Sequence, residues 1–164
     1  MDLLKKISNF FESSERSKDD LEIISIDVVG SDYYQDNFKN YINKIKLQKN
    51  IDYVMEQKSK FSNIVYEYRY IPSLNPKLVK EPKNPHDPNA VYVSVSYGPL
   101  SFKLGYVASE ETELIHKYLN QNRIYGIDLR ISGGKSKIID DDTVYNDESN
   151  YRVYMNILVR KLNI

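Results

Sequence analysis

The sequence predicts a mainly β domain of the α+β class, a small β-barrel that also carries two or three helices. Short segments rich in β-branched residues recur along the 164-residue chain, with turn residues between them. They do not alternate regularly with helices, as the strands of a parallel α/β sheet do. About seven or eight such strands favour a closed or partly closed small barrel.

The first part of the chain predicts a helix, a strand and a second helix. Residues 2–12 place apolar side chains at helical spacing and form an amphipathic helix, which the polar linker 13–20 follows. Residues 21–29 are β-branched and predict one strand that ends at Gly30. A basic amphipathic helix comes next. Its apolar face consists of Phe38, Tyr41, Ile42 and Ile45.

Two strands and a loop-rich stretch are predicted next. Residues 51–57 and 63–71 have strand character. In the second of them the aromatic side chains alternate with charged ones, so we expect the aromatic face to pack on the sheet. That face consists of Tyr66, Tyr68 and Tyr70. Five prolines then interrupt regular structure between residues 72 and 88.

The second half predicts four more strands and a helix. Residues 90–96 and 102–107 form a strand pair around a turn at 97–99. Ser109 is predicted to cap a helix that runs to about Asn120. The apolar face of that helix consists of Leu114, Ile115, Tyr118 and Leu119. The remaining predictions are a strand at 124–131, a glycine turn at 132–135, an acidic loop at 140–150 and a last strand at 151–159.

Composition excludes several classes of site. The chain has no Cys, so it holds no disulfide, thiolate nucleophile or Cys-ligated zinc. Its two histidines, His86 and His116, match no zinc-binding spacing. No apolar run approaches the roughly 20 residues that a membrane span needs. We therefore expect no metal, no cofactor and no membrane partner. The absence of a secretory signal favours a reducing compartment, the cytoplasm or the nucleus.

Charge is segregated along the chain although the formal net charge is zero. Residues 1–34 carry four basic and eight acidic side chains, whereas residues 35–83 carry ten basic and five acidic ones. Nucleic-acid binding needs a basic surface, and only folding decides whether the basic segment forms one.

The most informative segment is the polar loop at residues 83–89. Pro82, Pro85 and Pro88 fix its backbone and restrict the residues before them. The loop therefore loses little entropy when it binds a ligand. Its polar side chains either tie the loop together through local hydrogen bonds or present hydrogen-bonding groups to a ligand. These side chains are Asn84, His86, Asp87 and Asn89.

The segment around this loop resembles the HIRAN domain, a module of helicase-like transcription factors and of bacterial and phage proteins. The resemblance spans about residues 22–131 and depends on three blocks in the family's order. The matching residues are Val29, Gly30, Tyr33 and Tyr34, then Leu78, Lys80, Glu81, Pro82, Asn84, Pro85, Asp87, Asn89, Ala90, Val91 and Val93, then Gly105, Tyr106 and Val107.

This resemblance implies an OB-like β-barrel that binds single-stranded DNA and captures its free 3′-hydroxyl end. Tyr33 and Tyr34 match the paired aromatics that contact the terminal nucleotides. Asn84 and Asp87 match the loop residues that hold the terminal base and the hydroxyl. His86 takes the place of an aromatic, and Tyr106 stands at a ring-bearing position. Independently of the resemblance, a set of lysines either attracts phosphate or, in the basic helix, forms an ordinary solvated face. These lysines are Lys39, Lys44, Lys46, Lys49, Lys80 and Lys83.

The chain departs from the family pattern at several positions. Asp32 stands where the family has Arg, and Ser109 lies near a position that is Lys. The family has a phenylalanine on a later strand, and this chain has no equivalent of it, because Ser132 and two glycines lie at that place. Residues 35–77 form an inserted helix and hairpin. We therefore predict an N-terminal helix and linker at 1–20 and a single HIRAN-like domain at 21–164 with this insertion.

Three functions follow from these observations, and none is enzymatic. The acidic run 140–142 is better explained as a solvated loop than as a metal site, and residues 132–135 lack the spacing of a phosphate-binding loop. The leading hypothesis is a single-stranded DNA-binding module accessory to DNA processing or repair. One alternative is a protein-interaction module without DNA binding, and another is a phage accessory protein whose inserted helix binds a host factor. The oligomeric state is not predicted.

Overall fold

The structure is a computed structural model that describes residues 20–45, 64–68 and 70–162. Two antiparallel sheets contain about half of these residues. In spatial order the first sheet contains β1 (Leu21–Ile26), β8 (Thr143–Arg160), β7 (Ile124–Asp140) and β3 (Ile64–Tyr66). The second contains β2 (Val28–Val29), β6 (Leu100–Val107), β5 (Val91–Tyr97) and β4 (Lys77–Lys80). The helices are α1 (Gln35–Ile45) and α2 (Thr112–Asn120).

The mainly β, α+β class is confirmed, and the two sheets enclose one apolar core. Alternate residues of β5 point into it, and Val91, Val93 and Val95 are fully buried there. Ile157 and Val159 of β8 are also fully buried in the same core. The described strands form two separate ladders and do not close into a barrel, so the architecture is barrel-like but open.

Helix α1 covers the core with the apolar face that its sequence predicts. The Phe38 ring stacks on Tyr151 at 5.7 Å, and the Tyr41 ring lies tilted against Phe102 at 5.6 Å. The Tyr41 hydroxyl donates to the Pro72 carbonyl at 2.6 Å and accepts from the Leu74 amide at 2.9 Å. These bonds satisfy a buried polar group and tie the helix to the loop before β4.

The predicted single strand at 21–29 is wrong, because the chain changes sheet at Asp27. Strand β1 pairs with β8, whereas β2 pairs with β6 in the other sheet. The Asp27 amide donates to the Glu111 carboxylate at 2.7 Å, and the Asp27 carbonyl accepts from the Ala108 amide at 3.0 Å. Tertiary partners thus satisfy the backbone where the ladder is interrupted.

The predicted turn at 132–135 and acidic loop at 140–150 are also wrong, because both segments belong to the long β7–β8 hairpin. Its tip is the two-residue turn Asp141–Asp142, which joins the paired residues Asp140 and Thr143. Gly133 lies at an irregularity in the ladder, where a Cβ would come within 2.3 Å of the Asn150 carbonyl oxygen. The glycines bend the strand here and do not reverse it.

Three smaller predictions need correction. Strand β3 ends at Tyr66, and Tyr66 and Tyr70 are exposed while Val65 is buried, so the tyrosine face does not pack on the sheet as a whole. Ser109 does not cap α2, since its hydroxyl bonds Glu110 and the helix begins at Thr112. Leu114 is exposed, although the other predicted apolar residues of that helix are buried or partly buried.

Several predictions fall outside the described residues. These are the helix at 2–12 with its linker, the strand at 51–57 and the lysines Lys46 and Lys49.

Candidate nucleic-acid interface

The polar loop between β4 and β5 is held by its own side chains. The Asn84 Oδ1 accepts from the amides of His86 at 2.9 Å and Asp87 at 3.2 Å. The Asp87 Oδ1 accepts from the Asn89 amide at 2.8 Å, and the Asp87 carbonyl accepts from the Ala90 amide at 3.0 Å. The side-chain oxygen of Asn84 and one carboxylate oxygen of Asp87 therefore tie the loop together through local hydrogen bonds, as one of the two interpretations predicts.

The other polar atoms of Asn84 and Asp87 have different roles. The Asn84 Nδ2 donates to the Glu81 Oε2 at 2.7 Å and reaches the Tyr106 hydroxyl at 3.3 Å. The Asp87 Oδ2 accepts no hydrogen bond from the part of the chain that the structure describes. Asn84 thus connects the loop to the sheet, while one carboxylate oxygen of Asp87 is left without a hydrogen bond from the described residues.

A cluster of Glu81, Lys103 and Tyr106 joins the loop to strand β6. The Lys103 ammonium forms an ion pair with the Glu81 Oε1 at 2.6 Å and donates to the Tyr106 hydroxyl at 3.0 Å. The Tyr106 hydroxyl in turn donates to the Glu81 Oε2 at 2.7 Å. The ammonium also lies 4.4 Å from the Tyr92 ring centroid, within cation–π range. We call these four residues the polar cluster.

The pKa values of the cluster follow from these contacts. Hydrogen bonds from Lys103, Tyr106 and Asn84 lower the pKa of Glu81 to about 2. Burial alone would lower the pKa of Lys103, but its bonds to Glu81 and Tyr106 outweigh that effect and raise it. Burial, followed by hydrogen bonds with Tyr34 and Glu81, raises the pKa of Tyr106 to about 12. The ion pair is therefore fully charged at neutral pH.

A β-bulge brings Lys103 and Tyr106 to the same face of the sheet. Ser94 of β5 pairs with Lys103 and Val93 pairs with Gly105, so Leu104 is an extra residue in β6. In a regular strand, residues three apart point to opposite faces. Because the bulge shifts the alternation by one residue, both side chains point away from the core and meet Glu81.

The paired tyrosines lie in a 3-10 turn, Ser31–Tyr34, that packs against β6. Gly30 adopts the left-handed conformation before the turn, with φ of 74°. Gly105 lets this segment approach, since a Cβ there would lie 2.7 Å from the Val29 carbonyl oxygen and 3.2 Å from the Ser31 hydroxyl. The Tyr34 and Tyr106 ring centroids are consequently 6.1 Å apart, whereas Tyr33 is 90% exposed.

The structure brings most of the predicted site residues together. Tyr34, Tyr106 and Asn84 form a continuous chain of contacts, and the backbones of His86 and Asp87 bond the Asn84 side chain. Tyr33 adjoins them through Tyr34. Lys80 does not join this group, because its ammonium donates to the Asn120 side chain.

Sequence reasoning missed two members of the cluster and undervalued a third. Glu81 belongs to the matched motif but was not among the predicted site residues. Lys103 and Tyr92 carry no local signal, and only the cross-strand pairing of Tyr92 with Tyr106 and of Ser94 with Lys103 reveals them. The basic helix α1 does expose Lys39 and Lys44.

The departures from the family pattern have structural counterparts. The Asp32 carboxylate accepts from the Asn150 amide at 2.9 Å and lies next to the exposed Tyr33. Asp32 thus anchors the 3-10 turn to strand β8 where the family has a basic residue. No group of three His, Asp or Glu residues that could hold a metal occurs in the described ranges.

Comparison with known proteins gives one family. The model of the HIRAN domain matches residues 21–161 of the 164-residue chain. Neither a curated protein nor a solved structure matches the sequence. In the ranges that the structure describes, no helix is long and apolar enough to cross a membrane.

Proposed function

Because the chain belongs to the HIRAN domain family, we propose that it captures the free 3′-hydroxyl end of single-stranded DNA at the surface around Tyr33, Tyr34 and Asp87. The HIRAN domain is a DNA-binding module, which supports a DNA-binding role for this chain. We further propose that the protein is a binding module without catalytic activity, accessory to DNA processing or repair in the cytoplasm. The carboxylate oxygen that Asp87 leaves without a hydrogen bond in the described structure carries the proposal, because Asn84 links its loop to Tyr106 and so to the Tyr34 ring.

A terminal nucleotide offers a base face and a hydroxyl, and the surface has a group for each. The exposed Tyr33 ring can stack on a base, an interaction worth roughly 1–3 kcal/mol that tolerates any sequence. The Asp87 carboxylate can accept a hydrogen bond from a 3′-hydroxyl. It would repel the phosphate that follows an internal nucleotide, so it favours ends over continuous strands.

The loop is rigid before DNA binds, which lowers the entropic cost of binding. The Asn84 and Asp87 bonds fix its backbone, and the polar cluster fixes its position on the sheet. Lys103 contributes little free charge, because Glu81 neutralises it. Attraction of phosphate therefore falls to exposed lysines such as Lys83 on the loop and Lys39 on α1.

Fluorescence anisotropy with three labelled DNAs tests end capture. One single strand carries a free 3′-hydroxyl, the second carries a 3′-phosphate, and the third DNA is a closed circle without an end. We expect the 3′-hydroxyl strand to bind most tightly. Equal affinity for all three DNAs, or no binding, would reject end capture.

Substitutions of Asp87 sharpen this test. Asp87→Asn keeps an oxygen that can accept from the Asn89 amide but removes the charge. We expect this variant to lose affinity for the 3′-hydroxyl strand and to discriminate less against the 3′-phosphate. Asp87→Ala should likewise weaken binding of the 3′-hydroxyl strand more than binding of the 3′-phosphate strand. Equal losses for both strands would contradict a hydroxyl-binding role.

The alternative function is a protein-interaction module on the same fold. The carboxylate of Asp32 beside Tyr33 and the neutralised Lys103 favour it, because both reduce the attraction of phosphate. Absence of binding to every oligonucleotide at low salt, with the protein folded, would favour this alternative. If a protein partner binds through α1, substitution of the exposed Lys39 and Lys44 should then abolish its binding.

A further inference from the structure

A groove of about 850 Å³ lies beside the 3-10 turn that holds Tyr33. One wall is the segment from Ser25 to Asp32, which crosses between the sheets. The other wall is the outer face of the β7–β8 hairpin, where Arg130, Arg152 and Tyr154 line the groove. None of these three residues belongs to the end-binding surface described above.

The three side chains share a face because of the hairpin register. Arg130 pairs directly with Tyr154, and Ser132 pairs with Arg152. Their neighbours Leu129, Ile131, Val153 and Met155 are buried in the core, so the alternate residues point outward. Tyr154 is 62% exposed, directly across the ladder from Arg130 and two residues from Arg152 in the same strand. Grooves that bind single-stranded nucleic acid combine exposed aromatic rings with positive charge in this way.

The groove also contains acidic groups, and their placement is asymmetric. Asp27 and Asp32 lie on the wall opposite the arginines. Asp32 accepts from Asn150, and Asp128 forms an ion pair with Arg130 at 3.2 Å. A strand in this groove is thus attracted through its phosphates to the arginine wall alone, while carboxylates opposite can accept from base amino groups.

We propose that this groove binds the DNA strand that continues from the captured end, with a base stacked on Tyr154 and a phosphate at Arg152. This inference rests on the proposed function and extends it by several nucleotides. The groove is continuous with Gly30, Ser31 and Asp32, which lead directly into Tyr33. The two aromatic contacts therefore lie along one path.

Oligonucleotide length separates the groove from the end site. Oligothymidylates of about 4 and about 12 nucleotides, both with a free 3′-hydroxyl, are a short and a long ligand within the usual site sizes of OB folds. We expect Tyr154→Ala to weaken the longer strand by at least about fivefold and to leave the shorter one within about twofold. Tyr154→Phe should retain wild-type affinity because it keeps the ring.

Charge and control variants complete the experiment. Arg152→Ala should reduce the slope of log K against log salt for the longer strand by about 0.7, the value for one phosphate contact. Tyr145→Ala is the matched control, because Tyr145 is 53% exposed on the same strand but does not line the groove. Thermal unfolding of all variants checks that they are folded.

The possible failures are distinguishable. If the wild type binds the longer strand and both Tyr154→Ala and Arg152→Ala bind it equally well, the groove proposal is rejected while end capture stands. If these variants weaken the longer strand but Asp87→Asn does not affect preference for the hydroxyl, end capture is rejected and the groove binds single-stranded DNA without regard to its end. If the wild type binds neither strand, both proposals are rejected.

Discussion

The Lys103 ammonium lies 3.0 Å from the Tyr106 hydroxyl, although three positions separate these residues in one strand. The contact exists because Leu104 is an extra residue that shifts the alternation of β6. Both side chains then reach Glu81, which connects the sheet to the polar loop. The shape of the candidate DNA-end surface therefore depends on a backbone irregularity.

Glu81→Gln should destabilise the protein by about 1–3 kcal/mol at neutral pH, since it leaves the partly buried Lys103 without its charged partner. The pKa of Glu81 is lowered from 4.5 to about 2 in the folded state. Its carboxylate consequently stabilises the fold above pH 4.5, and this stabilisation is lost as the pH falls from 4.5 through 2. Urea unfolding at several pH values should show the wild type and the variant converging in acid. A constant difference across this range would contradict the role of the charge.

Gly105→Ala should lower the melting temperature, because the added Cβ would meet the Val29 carbonyl oxygen at 2.7 Å and the Val28 side chain at 2.9 Å. Overpacking of this kind costs roughly 1–3 kcal/mol. DNA binding should weaken as well, since the segment carrying Tyr33 must move. Ser101→Ala, an exposed position on the same strand, provides the control and should change neither quantity. If Gly105→Ala were as stable as the wild type, the segment at Val28 and Val29 could move away at no cost, which would contradict this prediction.

Tyr33→Ala should weaken binding of the 3′-hydroxyl strand by about 1–3 kcal/mol and leave the free energy of unfolding unchanged, because the ring is exposed. Tyr34→Ala should reduce both affinity and stability, since the Tyr34 ring contacts Tyr106. Anisotropy and urea unfolding on the same samples separate the two effects. Tyr33→Phe should bind like the wild type, and a loss in that variant would mean that the hydroxyl, and not the ring, makes the contact.

The salt dependence of DNA binding should be shallow. The chain has zero net charge, and Glu81 and Asp128 already pair with Lys103 and Arg130. With a contribution of about 0.7 per phosphate contact on a single strand, three or four contacts give a slope magnitude below about 3. Anisotropy titrations at increasing potassium chloride measure this slope. A much steeper slope would indicate a broad electrostatic surface and contradict selective end binding.

The sequence by itself determined the class of the fold, the apolar face of α1 and the location of the polar loop. These features depend on local periodicity and on proline and Asx chemistry, which act over a few residues. The predicted turn at 132–135 and loop at 140–150 are wrong because glycines and acidic residues also occur in long hairpins, where partner strands satisfy the backbone. The sequence does not predict the strand break at Asp27, because the backbone of this residue is hydrogen-bonded to the distant residues Ala108 and Glu111.

Only the tertiary structure decided which charged and aromatic residues share a surface. Lys103 joins Tyr106 through a bulge, and Lys80 bonds Asn120 instead of the loop. The register of a hairpin brings Tyr154 next to two arginines. A strand sequence fixes the alternation of side chains but not the register or the irregularities that shift it. Those depend on contacts between residues distant in the chain, and the candidate DNA-binding surface is made from such contacts.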